Sequence, residues 1–410
     1  MENPEYKSTM TESGRPLTVL AIATYLKGEE FLRECRRQRC RVLLLTAEPL
    51  VDAAWPRESI DAIHSVRRDA PADALRRRVA GLARTERIDR IVALDDFDVE
   101  TAANLREYLR TPGMGETTAR HFRDKLAMRV RARNGGILVP DFVALVNDDE
   151  IRAWTAAVPP PWVMKPRSSA AAIGIKKIGG EEALWRALEA AGEARADYLL
   201  ERFVAGEVYH VDSIVFGGDI RFAVAMKYGR PPMEVAHEGG IFMTRRLPPD
   251  GDEARGLLTI NQQVLARLGL QRGVSHTEFI RGTNGAWFFL ETSARVGGAF
   301  IVDVIEAATG VNLWREWARL EIAGEDGRYD APPPASGSAG IVLTLARQQE
   351  PDLSAFADPE IVVRLKKPYH AGLIVASPDA GRVEHLLNDY AKRFYADFFA
   401  SAPAPERPTE

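Results

Sequence analysis

With 410 residues, 46% apolar and 27% charged, the chain is long enough for roughly two to four domains and has the composition of a soluble globular protein. A net charge of −4 supplies no basic field for nucleic acid, and no apolar run approaches the ~20 residues of a membrane span. Nucleic acid and membrane are therefore not expected as partners. Residues 1–16 are polar, without the apolar core of a signal peptide, and a disordered tail is expected there. Cys35 and Cys40 fall on one predicted helix and read as reduced thiols, so a cytoplasmic location is expected.

Residues 17–112 alternate strand and helix. Apolar runs at 17–23, 41–47 and 90–96 are separated by helical patterns at 29–38 and 73–86. Continuous apolar strands with helices between them imply a parallel sheet covered on both faces. The first turn lacks G-x-G-x-x-G, which argues against a dinucleotide site. Asp95 and Asp96 end the last strand, where open α/β sheets bind ligands; capping of the next helix is the role expected first.

A glycine loop at 111–116 leads into one helix over 117–134, stopped by Gly135-Gly136. Residues 137–146 read as extended, and 159–180 as strand, small-residue loop, strand. An amphipathic helix follows, with Leu184 and Leu188 four apart. A strand, a short link and a hairpin turning at Gly217-Gly218 occupy 197–228. A helix at 254–270 precedes a second hairpin, turned by "GTNG" at 282–285. Residues 301–322 read as helical. After a Pro/Gly/Ser linker at 330–340 come two short strands and a helix at 381–394, and 401–410 is expected to be disordered.

Two acids mark the second hairpin. Trp287–Leu290 runs into Glu291, then Arg295 and Gly297-Gly298, while Glu278 lies on the preceding strand. Read alone, Glu291 is a strand end and Arg295 its solvated neighbour. If "GTNG" closes the hairpin, however, the two carboxylates stand side by side and repel unless a cation neutralises them. That points to a magnesium site, and to a phosphate accompanying it. Only ten of the 54 basic residues are Lys, so a Lys amid ordered sequence is a candidate point charge for that phosphate.

Five stretches, in order, carry a resemblance: "RDKLAMR", "WVMKPRSSAAAIGI", "LLERFVAGEVYHVD", "HTEFI" and "FFLETSARVGG". Over about residues 110–325 the chain resembles the ATP-grasp superfamily of carboxylate–amine ligases, in particular the L-amino-acid ligases and biotin-carboxylase-like ligases. The resemblance implies a multidomain α/β and α+β chain. The expected divisions are a parallel α/β N-terminal domain at 17–112, one lobe at 113–204, a second at 205–325, and a small α+β C-terminal domain at 326–400.

The resemblance also implies a site. Lys125 and Lys165 would meet the phosphates, with Ser168 and Ser169 in a loop closing over them. Glu201 would orient the adenine end or its Lys, backbone groups of Arg202, Phe203 and Val204 would read the adenine edge, and Glu207 would take the ribose hydroxyls. His210 shares a strand face with Asp212 and is placed with the nucleotide. Glu278 and Glu291 would hold Mg2+ or Mn2+, with Ser293 where the family commonly has Asn. Arg295, with Lys165, would be catalytic, its guanidinium facing charge that forms during acyl transfer. Lys227, His237, His276, Arg295 and Gly297 would line the substrate side.

The implied reaction consumes ATP. A carboxylate takes the γ-phosphoryl group, and an amine or thiol then displaces phosphate from the acyl phosphate. The partners are small-molecule carboxylates and amines, with a homodimer left open. The shorter Ser293 favours the other reading, a weak or inactive nucleotide-binding regulatory protein on the same fold.

Overall fold

The computed structural model describes residues 14–170, 173–325 and 327–401, apart from the side chains of residues 237 and 238. The expected tails at 1–16 and 401–410 lie outside the described residues, save 14–16 and 401. The least polar stretches form the first sheet. It comprises β1 (Thr18–Ala23), β2 (Arg41–Ala47), β3 (Ala62–Val66) and β4 (Arg90–Ala93), parallel and in the order β3-β2-β1-β4. Helices α1 (Glu29–Arg37), α2 (Ala72–Leu82) and α3 (Val99–Leu109) are interleaved with them. All six positions of β1 are buried. Strand β3, "AIHSV", is a half-buried edge strand whose mixed residues show neither alternation nor an apolar run.

The strand order reverses at β1 and β4, which places a ligand crevice at their carboxyl ends. There Asp95 accepts from the Phe97 amide at 3.0 Å, the capping role expected. Asp98 accepts from the Thr24 amide at 2.8 Å and the Thr24 hydroxyl at 2.9 Å, tying the end of β1 to the turn after β4.

The single helix expected at 117–134 is two, α4 (Glu116–Arg120) and α5 (Lys125–Asn134). Asp124 starts the second by accepting from the amides of Leu126 at 2.9 Å and Ala127 at 3.3 Å. The cap sets Lys125 as the first residue of α5.

A second, antiparallel sheet contains β5 (Phe142–Ala144), β6 (Trp162–Pro166), β7 (Lys176–Ile178) and β8 (Tyr198–Arg202), in the order β5-β8-β6-β7. With α6 (Asp148–Ala157) and α7 (Glu181–Ala191) it closes a core of its own, including Trp162, Leu184 and Leu188.

The third sheet has eight strands. They are β9 (Gly206–Phe216), β10 (Asp219–Tyr228), β11 (Phe242–Arg246), β12 (Arg272–Gly282), β13 (Trp287–Ser293), β14 (Ser338–Leu345), β15 (Ile361–Arg364) and β16 (His370–Ser377). Their order is β13-β12-β9-β10-β11-β14-β16-β15. Helix α8 (Pro232–Glu238) lies in the β10–β11 connection and α9 (Asp252–Leu268) precedes β12, while α10 (Ile301–Thr309), α11 (Leu313–Ala323) and α12 (Ala380–Asp397) follow β13 and β16. Because β14 to β16 extend the sheet begun by β9 to β13, residues 326–400 share its backbone ladder with residues 205–325.

Tyr209, Phe279 and Phe289 on one face of this sheet pack with Met128 of α5 and Leu257 and Val264 of α9. Another core joins Val224 and Ile341 to α10, α11 and the first sheet, with Phe31 and Trp317 edge to face at 5.6 Å. The first sheet is thereby fixed against the third. No helix among the described residues is long and apolar enough to cross a membrane.

Burial pushes the Asp98 carboxyl up from 3.8 to about 7, against the opposing Thr24 hydrogen bonds. A carboxyl raised in the folded state binds its proton more tightly there. Its contribution is complete below the unfolded value and fades as pH rises through about 7. Asp98→Asn should therefore flatten a loss of stability over that interval, measured by denaturant titration at several pH values.

Candidate active site

The site begins with register. In the β12–β13 hairpin Glu278 lies directly opposite Glu291, and His276 opposite Ser293. On the other side of β12, Glu278 faces His210 and His276 faces Asp212 of β9. Opposed residues share a face, so His210, Glu278 and Glu291 form one row and Asp212, His276 and Ser293 the next. The expected carboxylate pair is thus present. A bulge after Glu278 lets Glu291 keep this face while Phe289, two residues earlier, enters the α9 core.

Cations surround these acids. Lys125 Nζ lies 2.9 Å from Glu291 Oε2. Burial works to raise the Glu291 carboxyl, but Lys125, helped by Lys165 and Arg129, outweighs it and holds the group at about 2. Glu201 of β8, fully buried, receives Lys165 at 2.7 Å and forms an ion pair with Arg129 at 2.6 Å. Burial again favours the neutral acid, and Arg129 and Lys165 overcome it. Arg129 was not anticipated; its position four residues after Lys125, on the same helix face, is the signal that could have found it.

Asp212 organises the second row. Its oxygens accept from His210 Nδ1 at 2.7 Å and His276 Nδ1 at 2.9 Å. His210 Nε2 meets the Thr244 hydroxyl at 2.8 Å, and His276 Nε2 the Tyr228 hydroxyl at 3.3 Å. The ligand atoms of His210, Asp212 and His276 lie within 4.8 Å of one another. Since both nitrogens of each ring are engaged, the group is a hydrogen-bonded network rather than a metal cage. Burial lowers the His276 pKa, but Asp212 prevails and lifts it to about 9; for His210 burial wins and the pKa is lowered. Gly297 packs against this network: a Cβ there would stand 2.9 Å from Asp212 Oδ1 and 3.1 Å from His276 Nδ1. Its bareness accommodates the Asp212–His276 pair, where the sequence suggested room for substrate.

The acids suit a hard cation. Tyr228 donates to Glu278 Oε1 at 2.8 Å and Lys125 holds Glu291 Oε2, so one oxygen of each carboxylate is engaged and the other remains for a metal. Ser293 stands on the same strand face as Glu291 and could add a third oxygen.

Arg295 is half-buried, with Nη1 donating to the Val296 carbonyl at 2.9 Å and Nε unpartnered among the described residues. Burial depresses its pKa, yet Asp96 and Asp95, ahead of Glu291, raise it overall. These two acids come from the crevice of the first sheet. Asp96 Oδ2 pairs with Arg123 at 3.0 Å, while its buried Oδ1 has no hydrogen-bond partner among the described residues. Arg123 also donates to the Ser168 carbonyl, and Lys125 donates to that of Ser169 at 2.6 Å. Ser168 and Ser169, in the loop expected to close over the phosphates, thus present carbonyl oxygens to the cations.

Other expected residues are placed differently. Glu207 and Lys227 pair at 2.7 Å, but with Tyr209 they occupy the opposite, α9-facing side of the sheet. The alternation of β9 sends 207 and 209 away from 210 and 212, so neither residue joins the carboxylate face. In the expected adenine segment, the Arg202 amide is spent on Asp141 at 2.8 Å and that of Phe203 on Pro161 at 3.0 Å. The Phe203 ring lies under Lys177, 4.3 Å from Nζ. The Val204 amide makes no hydrogen bond among the described residues. The His237 side chain lies outside the described residues.

No family profile matches the sequence. The L-arginine-specific L-amino acid ligase of Bacillus subtilis is 26% identical over 241 residues, 57% of this chain and 58% of that protein, so the chain spans little more than half the length of this relative. Among solved structures, the L-amino acid ligase from Bacillus licheniformis superposes with a TM-score of 0.73 at 15% identity, over 94% of this chain and 100% of that one. Carboxyaminoimidazole ribonucleotide synthase from Aspergillus clavatus, complexed with ATP, gives a TM-score of 0.70 at 14% identity, over 92% and 98%. Together with the sheets and their order, these likenesses show that this chain has the ATP-grasp fold.

Proposed function

We propose that the chain is an ATP-dependent, ADP-forming carboxylate–amine ligase acting on amino acids. The observation that carries this reading is the Glu278–Glu291 pair of the second lobe, set between Lys125 and Lys165 of the first lobe and the half-buried Arg295. The names of the ligase relatives support amino acids as the substrate class.

In this reading the substrate carboxylate attacks the γ-phosphorus and the bond to ADP breaks. The incoming ammonium gives one proton to water, the free amine attacks the acyl carbon, the bond to phosphate breaks, and the departing phosphate takes the second proton. Lys125, Arg123 and Lys165 exchange their present partners for phosphate oxygens and hold the triphosphate in line. Glu278 and Glu291, with Ser293, would hold a divalent cation, Mg2+ or Mn2+, which would supply charge neutralisation at the phosphates. Val204 offers the free amide for the adenine edge. Arg295 faces the oxygen that becomes negative when the amine adds. Asp96, with its unpartnered oxygen across from Arg295, receives the ammonium of the incoming amine.

Four measurements test this. Calorimetry should show ATP binding that requires Mg2+ and weakens in Glu291→Gln; a variant equally tight with and without the cation would remove the metal assignment. Arg295→Ala should bind ATP nearly as the parent does but form product about 10²–10³-fold more slowly. Hydroxylamine should trap the acyl phosphate as a hydroxamate with any carboxylate that stimulates ADP release, and its absence would exclude that intermediate. Asp96→Asn should raise KM for the amine while leaving that for ATP within about twofold, because the change removes one charge from an ammonium contact.

A further inference from the structure

We propose that Tyr228 is a positioning residue for the carboxylate of Glu278, set in place by the Asp212–His276 pair. The proposal rests on the reading of Glu278 as a metal ligand and goes beyond it. Tyr228 lies on β10, separated from the β12 strand of Glu278 by β9. Its ring crosses that gap over His210, with centroids 4.6 Å apart, and its hydroxyl ends 2.8 Å from Glu278 Oε1. The platform beneath it is rigid, since His210 is held at one nitrogen by Asp212 and at the other by Thr244.

The donors run in one direction. A tyrosine hydroxyl has a single proton, and here it goes to Glu278 Oε1. The Tyr228 hydroxyl oxygen can then only accept from His276 Nε2, at 3.3 Å, while His276 Nδ1 donates to Asp212 Oδ1 at 2.9 Å. Asp212 therefore orients His276, His276 orients the Tyr228 hydroxyl, and the hydroxyl fixes which oxygen of Glu278 turns toward the open face. Gly297 is part of the device, because a Cβ there would press on both Asp212 and His276. A buried network serving packing alone would have no need to end on an acid of the carboxylate pair.

The test uses Mn2+ as the probe. Its affinity for the full-length protein, with a non-hydrolysable ATP analogue present, is read from the electron paramagnetic resonance signal of free Mn2+. Tyr228→Phe keeps the ring on His210 and deletes only the hydroxyl. Mn2+ affinity should fall about tenfold or more, the usual effect of losing a partner of a metal ligand, with the melting temperature and the nucleotide's metal-free affinity little changed. His276→Asn, which removes the donor to that hydroxyl, should weaken Mn2+ binding in the same direction. Tyr209→Phe, losing a hydroxyl on the opposite face of the same sheet, should leave it unaltered. Parental Mn2+ affinity in folded Tyr228→Phe overturns the positioning role while leaving the ligase reading intact. If the parent protein itself holds no Mn2+ beside the nucleotide analogue, the metal site is overturned, and the role of Tyr228 with it.

Discussion

Two carboxylates directly opposite each other on adjacent strands, both partly withdrawn from water, repel at a cost the fold must offset. Much of the surrounding structure follows from that constraint. Asp124 caps α5, the cap makes Lys125 its first residue, and Lys125 reaches Glu291. Arg129, one turn further along the helix, meets Glu201, which also takes Lys165 from the second sheet. On the other flank His276 places a positive ring beside Glu278, balanced in turn by Asp212. Each of these charges is answered by another, because an unpaired buried one would be strongly destabilising.

The charges belong to segments with different supports. Glu278, Glu291, Asp212 and His276 lie on the third sheet, whose strands fix their register. Asp95 and Asp96 come from the first sheet, which shares a core with α10, α11 and the third sheet, so their placement toward Arg295 is set by packing. Lys165 and Glu201 belong to the second sheet, which has a core of its own while its Phe142 and Leu199 join the core of α5, α9 and the third sheet. Its polar links toward the carboxylate face are the Arg129–Glu201 ion pair and the Ser168 and Ser169 carbonyls, which meet Arg123 and Lys125. These polar contacts are the ones an incoming triphosphate could exchange without disturbing an apolar core. A site assembled this way can take up a highly charged ligand while its acids remain in register.

Local patterns made much of this legible. Apolar runs marked β1, β2 and β4, and the "GTNG" turn between two aromatic stretches marked the hairpin that pairs Glu278 with Glu291. The break at Asp124 was readable in principle as an N-cap, but the helical pattern on both sides concealed it. Strand β3 was not readable, because an edge strand of mixed residues satisfies no period. Arg123 and Arg129 were hidden by the abundance of Arg: among 44 arginines only the four-residue spacing from Lys125 marks Arg129, and no such spacing marks Arg123.

By itself, the sequence determined which residues could carry charge chemistry and which strands they sat on, because strand alternation and turn type are properties of neighbouring residues. Only the tertiary structure decided which strand face met which helix. That assignment sent Glu207 and Lys227 to the α9 side, away from the acids, and made Gly297 the space that admits Asp212 and His276. It also brought Asp96 from the first sheet toward Arg295, roughly 200 residues later in the chain. A face and a neighbour depend on which apolar surfaces are buried together, and that is settled by long-range packing rather than by local pattern.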